Sequence, residues 1–490
     1  MIFNSLHYLI FFPLVTLLYY LLPVRFRWIL LLIASYYFYM VWEPIYILLI
    51  IVSTGVDYFC GIRMGTLSTK KERKPYMLFS LLTGLAMLGT FKYYDFFADS
   101  TNQLLVGLNM EYMLPIAHLV LPLGISFYTF QTLSYTLDVY KGKAKPEKKL
   151  GIFALYVMFF PQLVAGPIER ATNLISQFHF NYKFSREKMT SGLRLILLGL
   201  FKKVVVADQV GVMVGNVFNH PEGAHSISIY VGCLLFAQQV YCDFSGYTDI
   251  ARGSARILGV ELMENFKLPF FSSSINSLWT KWHISLMSWF RDYIMFPLIR
   301  KGWTWPVVFS LVFLISGIWH GANWTFVVWG VYNGLFVIYS KSTEKYREAF
   351  FDKLGLAGNN LFRQVFQFFI VYHIFALGTV FFRARTLADS WTLITGLFTN
   401  VGDTLSLIIN NPNNIRQDIL YLGKDAISFY LIIGFIVLLE LFQWKLRTKS
   451  LDHLMNGMNT IARFVIYLIA VMAIILMSNI AETPFIYFQF

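Results

Sequence analysis

The sequence predicts an all-α, polytopic membrane protein. Three observations carry that reading. Of the 490 residues, 57% are hydrophobic and 14% charged, against roughly 45–50% and 25% in soluble domains. The apolar residues gather into runs close to the roughly 20 residues that cross a bilayer. Lys and Arg gather in the short loops between those runs, as cytoplasmic loops do. Mean hydropathy is +0.57, and a soluble chain this apolar lacks the polar surface to cover itself.

In chain order, the first run is Ile2 to Leu22, closed by Pro23, Arg25 and Arg27. It has no positive n-region and no small-residue cleavage site, so it reads as a retained membrane segment. Trp28 to Trp42 and Pro44 to Ile62 follow, then a loop with Arg63, Lys70, Lys71, Arg73 and Lys74. Tyr76 to Tyr94 is the next run, and Asp95 to Glu111 reads as an interfacial amphipathic helix. Met113 to Tyr140 ends in Lys141, Lys143, Lys145, Lys148 and Lys149. The three basic loops agree with one topology, in which they are cytoplasmic and the N-terminus lies outside.

Gly151 to Ile168 carries Pro161, Gly166 and Pro167 and reads as a broken or re-entrant segment, tolerated only inside protein or beside a wet cavity. Leu193 to Val206 holds Arg194, Lys202 and Lys203, and Ser226 to Val240 reads as a span. Tyr241 to Trp303 mixes charge, aromatics and small residues, so it belongs inside the protein or at a membrane surface. Trp305 to Trp319, Trp324 to Tyr339, Val365 to Phe382, Ser428 to Trp444 and Arg463 to Ile480 are further runs, with Arg383 to Asp425 as a long loop. The expectation is roughly 10–12 crossings. No internal repeat is visible.

The net charge of +13 is accounted for by those loops, and no nucleic-acid module is present. Cys60, Cys233 and Cys242 form no CxxC pair and read as buried apolar thiols. No metal-ligand spacing, GxSxG elbow or Walker loop occurs.

His320 is the first chemical candidate. It ends a long apolar run, and an ionisable group at that depth is costly unless it has a task. On a continuous helix Ser316 and Asn323 would share its face, with Trp319 beside it. A buried imidazole favours the neutral form that a general base needs. The alternative is a helix-end histidine in a packed core. His283 lies in Leu278-Trp279-Thr280-Lys281-Trp282-His283-Ile284-Ser285-Leu286-Met287. Helical spacing puts Thr280, His283 and Met287 near one face, as a pocket wall or as an amphipathic surface helix. In the block Asp243 to Arg256, Asp249 and Arg252 are spaced to pair, and Gly246, Gly253 and Ala255 allow close helix packing. That cluster is either a structural charge network or a contact for an anionic donor. Phe160 to Arg170 reads as architecture beside a cavity.

The blocks Trp282-His283-Ile284-Ser285, Tyr241 to Asp249 and Trp319-His320-Gly321-Ala322-Asn323-Trp324 resemble the membrane-bound O-acyltransferase family over most of the chain. Phe160 to Arg170, Leu121 to Gln131 and Pro484 to Phe490 are similar to its bacterial alginate O-acetylation branch. The same family includes the membrane subunit that D-alanylates teichoic acid. The resemblance implies a single domain over residues 1–490: N-terminal helices to 140, a catalytic core over 150–340 and C-terminal helices from 360. It also implies a ring of helices around a central funnel, with His320 at its floor and His283 at its cytoplasmic side. The implied activity moves acetyl from cytosolic acetyl-CoA, a substrate rather than a bound cofactor, toward an exported polysaccharide. Transfer is direct or through a secreted or periplasmic acetyltransferase partner, at a bacterial plasma membrane. His320 and His283 are then the catalytic candidates, and Asn323, Trp319, Ser316, Asp249 and Arg252 the substrate-binding ones. D-alanyl transfer and a non-catalytic acetyl conduit are the competing expectations.

Overall fold

The computed structural model describes residues 1–163, 166–180, 182–358, 360–399, 401–410, 414–478 and 484–488. Among them every regular element is helical and no strand occurs. The fold is an all-α, polytopic membrane architecture. Five helices among the described residues are long and apolar enough to cross a bilayer: Pro44–Thr66, Ser226–Ile257, Leu361–Arg383, Ala426–Leu446 and Thr460–Met477. Leu6–Leu21 and Trp305–His320 are apolar but shorter. In Thr460–Met477 only 6% of the apolar window is buried. Side chains such as Ile461 and Leu476 are about three-quarters exposed, which only a lipid environment makes favourable.

Some of the remaining apolar runs form whole but shorter helices, such as Leu6–Leu21 and Trp305–His320, and others do not fold as whole spans. Residues 113–124 are irregular, and the helix starts only at Ile125. Pro115 and Pro122 lack the N–H that a helix needs, and Gly124 takes the left-handed φ of 73° against the Leu163 carbonyl. Asp95 to Glu111 is helical over Tyr94–Gly107. Leu150–Met158 stops at Phe159, resumes for one turn at Phe160–Leu163 and is irregular beyond Gly166, the broken path its Pro and Gly predicted. Val164 and Ala165 lie outside the described residues.

Two boundaries differ from the sequence reading. Ser226 to Val240 does not end at Val240. It continues through the Asp243 to Arg256 block as one helix to Ile257, 72% buried over its apolar window. The polar residues there are paired inside protein, so they do not terminate it. The expected loop of Arg383 to Asp425 contains the helices Leu387–Gly396, Val401–Asn410 and Asn414–Ile419. Thr386 starts the first of them by accepting from the Asp389 N–H at 3.0 Å, a capping signal outweighed in the sequence by the Asn-rich stretch. Asn411, Pro412 and Asn413 lie outside the described residues.

The chain divides into two compact units. The first comprises residues 1–196 and 248–264. Its aromatic core includes Phe3, Tyr8, Phe38 and Phe160, and the Tyr8 hydroxyl bonds Ser254 at 2.7 Å. Gly253 sits where a Cβ would lie 2.5 Å from the Gly192 carbonyl, the close helix approach its sequence predicted. Glu169, in the Phe160 to Arg170 block, accepts from the Met263 N–H and from Asn173.

The second unit comprises residues 197–247 and 265–490. Its tightest helix pair is Trp305–His320 against Trp324–Ser342. A Cβ on Gly317 would overlap the Phe326 carbonyl, and one on Gly330 would lie 2.5 Å from the Phe313 carbonyl. Small residues let the two backbones touch, and dispersion contacts then hold them in lipid.

Candidate active site

His320 is the last residue of the Trp305–His320 helix. Gly321 then turns extended (φ −159°, ψ 150°) under the Phe326 ring, where no Cβ fits. The sequence reading placed Asn323 on the same helical face. The helix stops three residues short of it, and Asn323 instead caps Trp324–Ser342. Its Oδ1 accepts from the Thr325 N–H at 3.0 Å, and its Nδ2 donates to the Arg385 carbonyl at 3.0 Å. Ser316, 1% exposed, lies one turn before His320 on the helix.

His283 does not sit within one helix, as its spacing suggested. It separates Ile275–Lys281 from Ile284–Phe290. Its backbone is left-handed (φ 44°, ψ 52°) and its side chain is the N-cap of the second helix. Nδ1 accepts from the Leu286 N–H at 3.3 Å. Asn265, fully buried, straps the turn: its carbonyl accepts from the Ile284 N–H at 2.9 Å and its Oδ1 from the Ser285 hydroxyl at 2.9 Å. Burial pushes the His283 imidazole down to about 3, because desolvation penalises the cation. In the neutral ring one nitrogen donates and the other accepts. With Nδ1 accepting, the proton is on Nε2, and His283 is a hydrogen-bond donor through that atom.

Aromatic rings join the two histidines. The Trp319 indole is 5.9 Å from the His283 ring and 5.0 Å from the His320 ring, centroid to centroid. A second path closes the circle: Phe244 lies 4.7 Å from His283 and 4.6 Å from Tyr487, and Tyr487 lies 5.6 Å from His320. Trp329 and Phe382 also edge His320, at 5.0 and 5.3 Å. Such a shell keeps water away and strengthens any hydrogen bond made inside it. Tyr487, Phe244, Trp329, Phe382 and Asn265 were not singled out by the sequence. The tail and the Tyr241 to Asp249 block were visible there only as motifs.

A cavity of about 450 Å³ lies in the same unit, lined among others by Trp279, Thr280, Met287, Phe313, Arg291 and Lys341. Arg347 and Glu344 complete its charged side. Its apolar wall reaches toward His320: Trp279 is 5.8 Å from Trp329, which contacts the His320 ring. Thr280 and Met287, which flank His283, both line it.

Asp249 and Arg252 belong to the first unit. There Arg252 lies 3.5 Å from Asp249 and 3.7 Å from Glu264, a charge network within that unit. Among the described residues no group of three or more His, Cys, Asp or Glu is arranged to hold a metal ion.

Comparison with known proteins identifies the family. The membrane-bound O-acyltransferase family profile matches residues 149–355, which hold both histidines. The probable alginate O-acetylase AlgI of Pseudomonas putida is 34% identical over the whole of both chains. The peptidoglycan O-acetyltransferase of Helicobacter pylori is 28% identical, covering 94% of this chain and 91% of its own. The teichoic acid D-alanyltransferase of Bacillus subtilis is 26% identical over 55% of this chain and 71% of its own. The chain belongs to the membrane-bound O-acyltransferase family, on the branch that holds the alginate O-acetylases, and is an O-acyltransferase.

Proposed function

We propose that this O-acyltransferase moves an acetyl group from cytosolic acetyl-CoA toward an exported polysaccharide at the plasma membrane of a bacterium, relayed by an exported acetyltransferase partner. The observation that carries this reading is the pairing of a helix-end histidine, His320, with a proton-donating histidine, His283, across one aromatic shell. His320 takes the proton of an acceptor hydroxyl as its oxygen attacks the thioester carbonyl. His283 Nε2–H donates to the oxyanion that forms. When the intermediate collapses the C–S bond breaks, and the proton held by His320 passes to the leaving thiolate. The products are an acetyl ester and free CoA.

The cavity beside Trp279 suits the donor. Its exposed cations Arg291 and Lys341 match the phosphates of a nucleotide thioester, and its apolar wall suits the pantetheine arm. Among the relatives, the two named as O-acetyl enzymes match this chain nearly end to end, whereas the D-alanyltransferase matches about half of it. This favours acetyl over D-alanyl.

The test uses purified protein in lipid nanodiscs with labelled acetyl-CoA. Thioester cleavage that His320→Ala abolishes, in a variant that still folds, is the expected result. Cleavage by His320→Ala at the parent rate, or passage of acetyl without cleavage, overturns the proposal.

A further inference from the structure

The C-terminal segment Pro484–Tyr487 is bound into the second unit by a buried charge cluster. Lys203, 1% exposed at its side chain, pairs with Asp243 at 2.7 Å and Asp208 at 2.8 Å. The other oxygen of Asp243 accepts from the Ile486 N–H at 2.7 Å, and Lys203 reaches the Pro484 carbonyl at 3.4 Å. Phe485 is fully buried, 4.6 Å from Tyr247 and stacked 5.3 Å from Tyr487. Tyr487 thereby lies against Phe244 and the His320 ring.

Local structure explains how the cluster assembles. Phe201–Ala207 is a wide π-helical turn, an insertion that redirects side chains and is common at functional sites. Gly246 leaves room for that turn, since a Cβ there would lie 2.7 Å from the Gly199 carbonyl and 3.2 Å from the Lys203 backbone nitrogen. A lysine and two carboxylates out of water gain little net stability over an apolar packing of the same volume. Their geometric product is a fixed anchor for one backbone N–H of the tail.

We propose that Lys203 and Asp243 are positioning residues of the acyl-transfer site. They hold the Pro484–Tyr487 segment as one wall of the His320 centre. This rests on His320 being that centre. The tail then completes the shell around the imidazole, and its release opens the centre to disorder and water without removing any group that binds acetyl-CoA.

The experiment compares Asp243→Asn, Ile486→Pro and deletion of residues 484–490 with the parent protein. Ile486→Pro removes the N–H that Asp243 accepts and leaves the charges intact, at the first position of a short helical turn where proline is tolerated. Three readouts are taken: kcat and KM for labelled acetyl-CoA, thermal unfolding, and trimming of the tail by carboxypeptidase followed by mass spectrometry. The expected result is a fall in kcat of about 10- to 100-fold, the scale of a misplaced catalytic wall, with KM unchanged. Ile486→Pro still unfolds in one cooperative transition and loses its protection from trimming back to Tyr487, ahead of the introduced proline. Parent kcat in both Ile486→Pro and the deletion overturns the proposal, and so does parent protection in Ile486→Pro. If Asp243→Asn fails to fold, those two variants still decide. Parent activity in His320→Ala would instead overturn the reading of the centre, a separate outcome.

Discussion

Substitution of His283 separates three roles that the structure places on one residue. It caps Ile284–Phe290 through Nδ1, occupies a left-handed backbone position, and presents Nε2–H. His283→Ala loses all three. Losing the cap costs about 0.5–2 kcal/mol, and a left-handed φ without a favourable side chain costs roughly 1–2 kcal/mol. Loss of an oxyanion donor lowers kcat about 10²- to 10³-fold. His283→Gly restores the backbone freedom, and glycine is only a few tenths of a kcal/mol worse than the best caps, so it unfolds above the alanine variant, below the parent only by the cavity the imidazole leaves among Phe244, Phe266 and Trp319. It nevertheless keeps the full kcat loss of the alanine variant. His283→Asn tolerates the left-handed φ, keeps an acceptor for the Leu286 N–H and supplies an amide donor, so its kcat stays within about tenfold of the parent. The assay is turnover of labelled acetyl-CoA in nanodiscs beside thermal unfolding of the same samples. Parent turnover in the glycine variant, or an asparagine variant as inactive as the alanine one, would refute the donor role.

Three further expectations follow. The depressed pKa of His283 means the unfolded chain binds a proton that the folded one refuses. Stability therefore falls as pH drops below about 6.5, by up to about 1.4 kcal/mol per unit; unfolding scans from pH 7 to 4.5 should show that slope, reduced in His283→Asn. Gly330→Ala pushes a Cβ into the Phe313 carbonyl and should destabilise by about 1–3 kcal/mol; an unchanged unfolding temperature would contradict the packing described. Lys341→Ala in the cavity should raise KM for acetyl-CoA about 2- to 5-fold with kcat unchanged, as loss of one exposed charge contact does; titrated initial rates would check it.

Much of the architecture was legible because it follows from local chemistry. Apolar runs, basic loops and the proline breaks at Pro161 and Pro167 are written along the chain, and a bilayer leaves helices as the common solution for them. His320 stood out for the same reason, since an ionisable group in an apolar run needs an explanation. The break between Trp305–His320 and Trp324–Ser342 was legible in its glycine, whereas the helix break at His283 was less visible: that stretch keeps helical spacing, and Asn265 holds the turn there.

By itself, then, the sequence determined the fold class and the membrane setting and marked His320 as a candidate, since these depend on hydropathy and on residue type. Tertiary structure alone decided that Tyr487 reaches His320. That contact depends on atoms distant in the chain: the tail meets Asp243 across 243 positions. No local propensity encodes a bond of that span, because it exists only after the intervening helices have packed.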